Sequence, residues 1–114
     1  MKRALFIGRW QPLHSGHKWL FNQKLEQGIP ILIAVRDTPV GDKNPFSTEE
    51  VVENLEAEYS NEITSGSVKI ISIPDIESVN YGRGVGYEIN EFVPPEVIGK
   101  ISATEIRKNL EKND

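Results

Sequence analysis

Apolar residues in this chain come in short unbroken runs, separated by segments in which they recur at helical spacing. Residues 3–7 alternate poorly and are almost wholly apolar, as expected of a central parallel strand covered on both faces. From Ser15 to about Gln27 the residues Trp19, Leu20 and Leu25 recur with a helical period, and Gly28 followed by Pro30 supplies a stop signal. Ile29 to Val35 predicts a second buried strand. A loop with Asp37, Pro39, Gly41 and Pro45 leads into Ser47-Thr48-Glu49-Glu50, where Ser47 and Glu50 can form a capping box ahead of the apolar stripe Val51, Val52 and Leu55. After a polar stretch from Ser60 to Ser67, Val68 to Ile73 predicts a third strand.

The order βαβαβ implies an α/β, Rossmann-like three-layer fold, with a central parallel sheet, flanking helices and binding loops at the carboxyl ends of the strands. Positions 8–17, 36–46 and 74–87 are then expected to converge. Residues 80–95 hold too many glycines to predict a helix, and Pro94-Pro95 closes them. Val97-Ile98 is read as a short last strand, and the capping box Ser102-Ala103-Thr104-Glu105 starts a final helix that runs to about Leu110. With no internal repeat, linker or low-complexity tract, residues 1–114 are expected to form one domain.

A formal charge of −4, with 17 acidic against 13 basic residues, offers no footprint for a nucleic acid polymer, although a small anion needs only a local patch. There is no cysteine, hence neither a disulfide frame nor a thiolate metal site. The apolar run after Arg3 is too short for a signal sequence, and no segment approaches membrane-spanning length. These features fit a cytoplasmic protein without a membrane partner; a homo-oligomer is left open.

Candidate chemistry gathers at Gly8-Arg9-Trp10-Gln11-Pro12-Leu13-His14-Ser15-Gly16-His17, the turn from the first strand into the first helix. The only two histidines of the chain lie here, and an imidazole N–H and a helix amino terminus both favour an anion. Gly8 and Gly16 lack a β-carbon and so let a ligand come close. A zinc site is the competing reading, but it would need a carboxylate to which the sequence does not point. A second run, Ile101-Ser102-Ala103-Thr104-Glu105-Ile106-Arg107, opens the last helix, with Ser102 and Thr104 at its amino end and Arg107 long enough to reach back towards it. The cluster Tyr81-Gly82-Arg83-Gly84-Val85-Gly86-Tyr87 matches neither a dinucleotide fingerprint nor a P-loop. It is read either as a surface loop or as an acceptor-binding loop, in which tyrosines stack on a flat ring and Arg83 forks a phosphate.

Together HSGH and ISATEIR resemble the paired signatures of the HxGH nucleotidyltransferases, which join a nucleoside monophosphate from a nucleoside triphosphate to a phosphorylated small molecule and release pyrophosphate. GRWQPLHSGH is most similar to the GRFQPFHxGH of nicotinamide mononucleotide adenylyltransferases, with Trp10 in place of the usual Phe, and Asn44-Pro45-Phe46-Ser47 resembles their NPFT. The resemblance implies transfer of AMP from ATP, with His14, His17 and Arg107 as catalytic residues. It implies nucleotide contacts at Gly8, Arg9, Trp10, Gln11, Gly16, Ser102 and Thr104, and a magnesium ion that accompanies the triphosphate. Arg36, Tyr81 and Arg83 are the candidates for the acceptor, and no side-chain metal ligand is assigned. The segment between Ile73 and Ile101 is shorter than in that branch, which leaves the acceptor open. A cytidylyltransferase acting on a phosphorylated alcohol or phosphonate, and a catalytically silent nucleotide-binding module, are the alternatives.

Overall fold

The computed structural model describes residues 2–84 and 86–95. Three parallel strands, β1 (Ala4–Gly8), β2 (Ile31–Asp37) and β3 (Val68–Pro74), form one sheet in the order β1-β2-β3. The register aligns Phe6 with Ile33 and Ile33 with Ile70, so these three residues share a face. Helices α1 (Ser15–Leu25) and α2 (Thr48–Glu58) both cover that face, because Phe21, Val51 and Leu55 join Phe6, Ile31, Ile33, Val35 and Val68 in a single core cluster. Two crossovers that step the same way across a sheet and lie on the same face have the same hand, as the chirality of such units requires. The result is the Rossmann-like α/β arrangement expected from the order of elements.

Burial on both faces holds for the middle strand β2, where Ile31, Ile33, Ala34 and Val35 are all buried. In β1 it fails, with Leu5 at 55% exposure, because the described helices pack on the opposite face. The predicted strand at Val97-Ile98 and the predicted helix from Ser102 lie outside the described residues.

Helix α1 ends two residues earlier than its pattern suggests, in a turn closed by the Ile29 N–H on the Lys24 carbonyl with Gly28 at φ +76°. Its fully buried residue is Phe21, which meets Phe6, Trp10 and Tyr59 edge-on with centroids 5.3, 4.9 and 5.9 Å away. The core-facing row is therefore His17, Phe21 and Leu25, flanked by Leu20, and the histidine disguised it as polar. Burial among these rings, and then the charges of Glu58 and Glu62, raise the Tyr59 hydroxyl to about 12.

Both halves of the capping box at α2 form: the Glu50 N–H donates to Ser47 Oγ at 3.1 Å and the Ser47 N–H to Glu50 Oε1 at 3.3 Å. Ser47→Ala should lower stability by about 1 kcal/mol, read from the urea midpoint at unchanged slope. The polar stretch after Tyr59 is not a loop but a short helix, α3 (Ser60–Ser65), which buries nothing and ends at Gly66 with φ +89°. It has no apolar stripe for periodicity to detect.

Candidate functional site

The turn between β1 and α1 is built around an indole. Trp10 adopts φ +53°, uncommon for a residue with a β-carbon, and so folds its ring back over Gly8. A β-carbon on Gly8 would lie 2.9 Å from two atoms of that ring. The openness of Gly8 thus receives Trp10 rather than the ligand anticipated from the sequence. At 6% exposure Trp10 is a core residue, and its Nε1–H donates to the Ala34 carbonyl at 3.2 Å. What Trp10 offers to the outer side of the turn is its backbone.

Two contacts join this turn to the loop before α2. The Gln11 Nε2–H donates to the Phe46 carbonyl at 2.8 Å, and the Phe46 N–H donates to Gln11 Oε1 at 3.0 Å. Arg9 donates from its terminal nitrogen to Asn44 Oδ1 at 3.2 Å. Loops after β1 and β2 therefore converge, as expected for positions 8–17 and 36–46.

His14 caps α1: its Nδ1 accepts from the Gly16 N–H at 3.0 Å, so the neutral ring carries its hydrogen on Nε2. The His14 and His17 rings stack with centroids 3.8 Å apart and planes 26° apart, and Trp10 meets His17 edge-on at 4.9 Å. His17 Nδ1 is buried and has no hydrogen-bond partner among the described residues. Burial, and then the neighbouring His14, lower the His17 pKa to about 4; burial alone lowers that of His14. Both rings are neutral at pH 7 and can donate one hydrogen each without carrying charge.

This depression makes stability depend on pH. Below about pH 6.5 the unfolded chain protonates a histidine that the folded chain keeps neutral, so the unfolded state binds more protons and stability falls as the pH drops towards 4. For His17 the loss should be on the order of 1 to 2 kcal/mol once partial solvent screening is allowed for. Urea titrations at pH 7 and pH 4.5 measure it; a His17→Asn variant should lack that part of the slope.

Arg36, at the carboxyl end of β2, is held by Asp75: Nε donates to Oδ1 at 2.9 Å, and a terminal nitrogen lies 2.7 Å from the same oxygen. The Arg36 hydrogen bond, then the Ile76 N–H and the charges of Arg36 and Arg9, hold the Asp75 carboxyl below the usual carboxylate range despite its slight desolvation. A ligand phosphate at Arg36 would have to share the guanidinium with this carboxylate. Tyr81 is 62% exposed and Arg83 is exposed, and neither makes a hydrogen bond or ion pair among the described residues. Ser102, Thr104 and Arg107 lie outside the described residues. Sequence reasoning passed over Thr38, whose buried hydroxyl directly after β2 has no partner among the described residues. A threonine in a loop gives no signal of that kind. An open cavity of about 360 Å³ lies at the other end of the sheet, among Arg3, Glu56, Ile63 and Lys69, and is separate from this site.

A parallel α/β sheet with a histidine pair at its first strand-to-helix turn is the arrangement that the HSGH resemblance implies, and similarity to known proteins supports the nucleotidyltransferase superfamily. Within it the chain is similar to nicotinamide-nucleotide adenylyltransferases: it is 35% identical to the enzyme of Thermococcus sibiricus over 77 residues, 65% of this chain and 41% of that protein. It is 32% identical to the enzyme of Caldivirga maquilingensis over 98 residues, 83% of this chain and 53% of that protein. A phosphopantetheine adenylyltransferase of Chromobacterium violaceum is 34% identical over 90 residues, 75% of this chain and 50% of that protein. The chain thus spans about half the length of the curated relatives it matches. No protein-family model matches it.

Proposed function

We propose that this protein transfers AMP from ATP to a phosphorylated small molecule of the nicotinamide mononucleotide type and releases pyrophosphate. The observation that carries this reading is the stacked pair of neutral imidazoles at the amino terminus of α1, where helix and ring donors share one anion-favouring spot. The names of the relatives support it.

In this mechanism a phosphate oxygen of the acceptor attacks the α-phosphorus in line, its bond to phosphorus forms as the bond to the bridging oxygen breaks, and pyrophosphate leaves with that electron pair. No protein nucleophile takes part, so catalysis is positioning and charge stabilisation. His14, with Nδ1 engaged by the Gly16 N–H, donates from Nε2 to the triphosphate and to charge developing on the reacting group. His17 serves the α-phosphate, and Arg107 the leaving phosphates with Ser102 and Thr104. Gly8, Trp10, Gln11 and Gly16 line the nucleotide through backbone, and Arg9 through its side chain. Arg36 takes the acceptor phosphate and Tyr81 and Arg83 its remainder. A magnesium ion, held mostly by phosphate oxygens and water because that ion dehydrates reluctantly, would accompany the triphosphate. That ion would supply neutralisation of the triphosphate. The cytoplasm, where such substrates are made, is the proposed location.

The test is pyrophosphate release from ATP or CTP with magnesium, against nicotinamide mononucleotide, phosphopantetheine and a phosphorylated alcohol. Turnover with ATP and the first acceptor is expected. Turnover with CTP alone would replace the reading by a cytidylyltransferase, and nucleotide binding without turnover would leave a silent binding module.

A further inference from the structure

We infer that Gln11 is a positioning residue, whose carboxamide latches the turn after β1 to the loop before α2 and so holds Arg9, through Asn44, against the phosphates of a bound nucleotide. The inference rests on the nucleotidyltransferase reading for the ligand, though not for the latch itself.

The Gln11 carboxamide donates to the carbonyl and accepts from the N–H of one residue, Phe46, across 35 positions of chain. Only a primary amide can both donate and accept in that way; a carboxylate of the same shape would set an oxygen against the Phe46 carbonyl. Gln11 is 3% exposed and Phe46 half-buried, so competing water reaches the pair poorly and a broken half is costly. A side chain so engaged cannot also turn outward to a ligand, so its contribution is made through the loop it fixes. That loop has no regular element, but Gly41 and Asn44 close a tight turn through reciprocal backbone bonds of 2.9 and 3.1 Å. Asn44, two residues before the latch, presents Oδ1 to Arg9. Arg9 follows β1 directly, at the carboxyl end of the sheet where strand-end loops meet ligands. The chain of contacts therefore runs Gln11, Phe46, Asn44, Arg9, with a guanidinium at its end.

The test compares the parent protein with Gln11→Glu, Asn44→Ala, Arg9→Ala and the double variant Gln11→Glu/Arg9→Ala. Amide exchange at Phe46 should be at least about tenfold faster in Gln11→Glu, since the donor to the Phe46 carbonyl is lost and the repulsion of a carboxylate oxygen from that carbonyl pushes the two groups apart. The NMR signal of Arg9 Nε–H should move towards that of a free arginine in Gln11→Glu and in Asn44→Ala. Magnesium ATP should bind about tenfold more weakly to each single variant, the effect of one charge-assisted contact, with the loss appearing in KM more than in kcat. The double variant should be no weaker than Arg9→Ala, because the two residues act on one contact. A merely structural glutamine would instead give independent losses that multiply in the double variant, and that result overturns the inference, as does unchanged exchange at Phe46. If Gln11→Glu does not fold, Asn44→Ala carries the same prediction for Arg9 without touching the latch, and an unmoved Arg9 signal there overturns it. A parent that folds but binds neither ATP nor CTP would overturn the proposed function, and the exchange and Arg9 signals would still decide the latch.

Discussion

His17→Ala is expected to lower turnover by a factor on the order of 10² to 10³ while the fold persists, the range for removal of one preorganised donor at a transition state. The ring that is lost lies between His14, 3.8 Å away in a stacked pair, and the edge of Trp10. Its orientation is therefore fixed before any ligand arrives, and no reorganisation is needed at the moment of reaction. The burial that lowers its pKa favours the neutral ring, which in the proposed mechanism is a donor whose interaction with a phosphate oxygen would strengthen as negative charge develops there. Folding survives because the core beneath rests on Phe21, Ile33, Val51 and Leu55 rather than on the histidine. Steady-state pyrophosphate release, with circular dichroism as the check on the helix, measures the effect. Parental turnover in the variant would reduce His17 to packing.

Trp10→Ala should be the most damaging single change to stability considered for this chain, at about 3 to 5 kcal/mol. Three losses coincide. The indole leaves the space over Gly8 empty, Phe21 loses an edge-on neighbour at 4.9 Å, and the Ala34 carbonyl loses a donor. Alanine also inherits φ +53° without the ring that holds the backbone there, a conformation costing roughly 1 to 3 kcal/mol when nothing enforces it. Trp10→Phe separates these terms, since it keeps an aromatic ring and gives up the N–H, and should cost about 1 kcal/mol. Urea unfolding of both variants gives the comparison. A loss below about 1 kcal/mol in Trp10→Ala would contradict the packing described for the ring. Activity should fall with stability in the alanine variant, because His17 loses the wall that orients it.

Features governed by near neighbours were legible in the sequence. The capping box at Ser47 and Glu50 depends on residues three apart, and it forms as read. The strands were legible because parallel strands must be apolar whatever covers them, and the convergence of strand-end loops follows from the order of elements alone. The partners of the turn were not. Nothing local says that Gly8 is small for the sake of Trp10, or that the Gln11 carboxamide bonds a residue 35 positions away. In α1 the polar His17 concealed a core-facing row, so the pattern favoured Trp19 and passed over Phe21, the residue with no exposed surface. The turn after β1 and the loop that converges on it were thus legible as a place in the fold, while the side chains that brace that turn became apparent only in the structure. For Ser102, Thr104 and Arg107, outside the described residues, the motif remains the whole argument.

The all-parallel ladder also constrains how this protein comes into being. β1 has no neighbour to pair with until Ile31 to Val35 has been synthesised and α1 has carried the chain back, and β2 waits in the same way for Val68 to Pro74. Among the described residues no two strands are joined as a hairpin, since both pairings of the sheet need a crossover. Every strand pairing described is therefore distant in sequence, which places folding with the mixed α/β domains rather than with helical bundles. The Gln11 to Phe46 pair closes across the first of these crossovers, so the turn between β1 and α1 acquires its final shape together with the sheet, not before it.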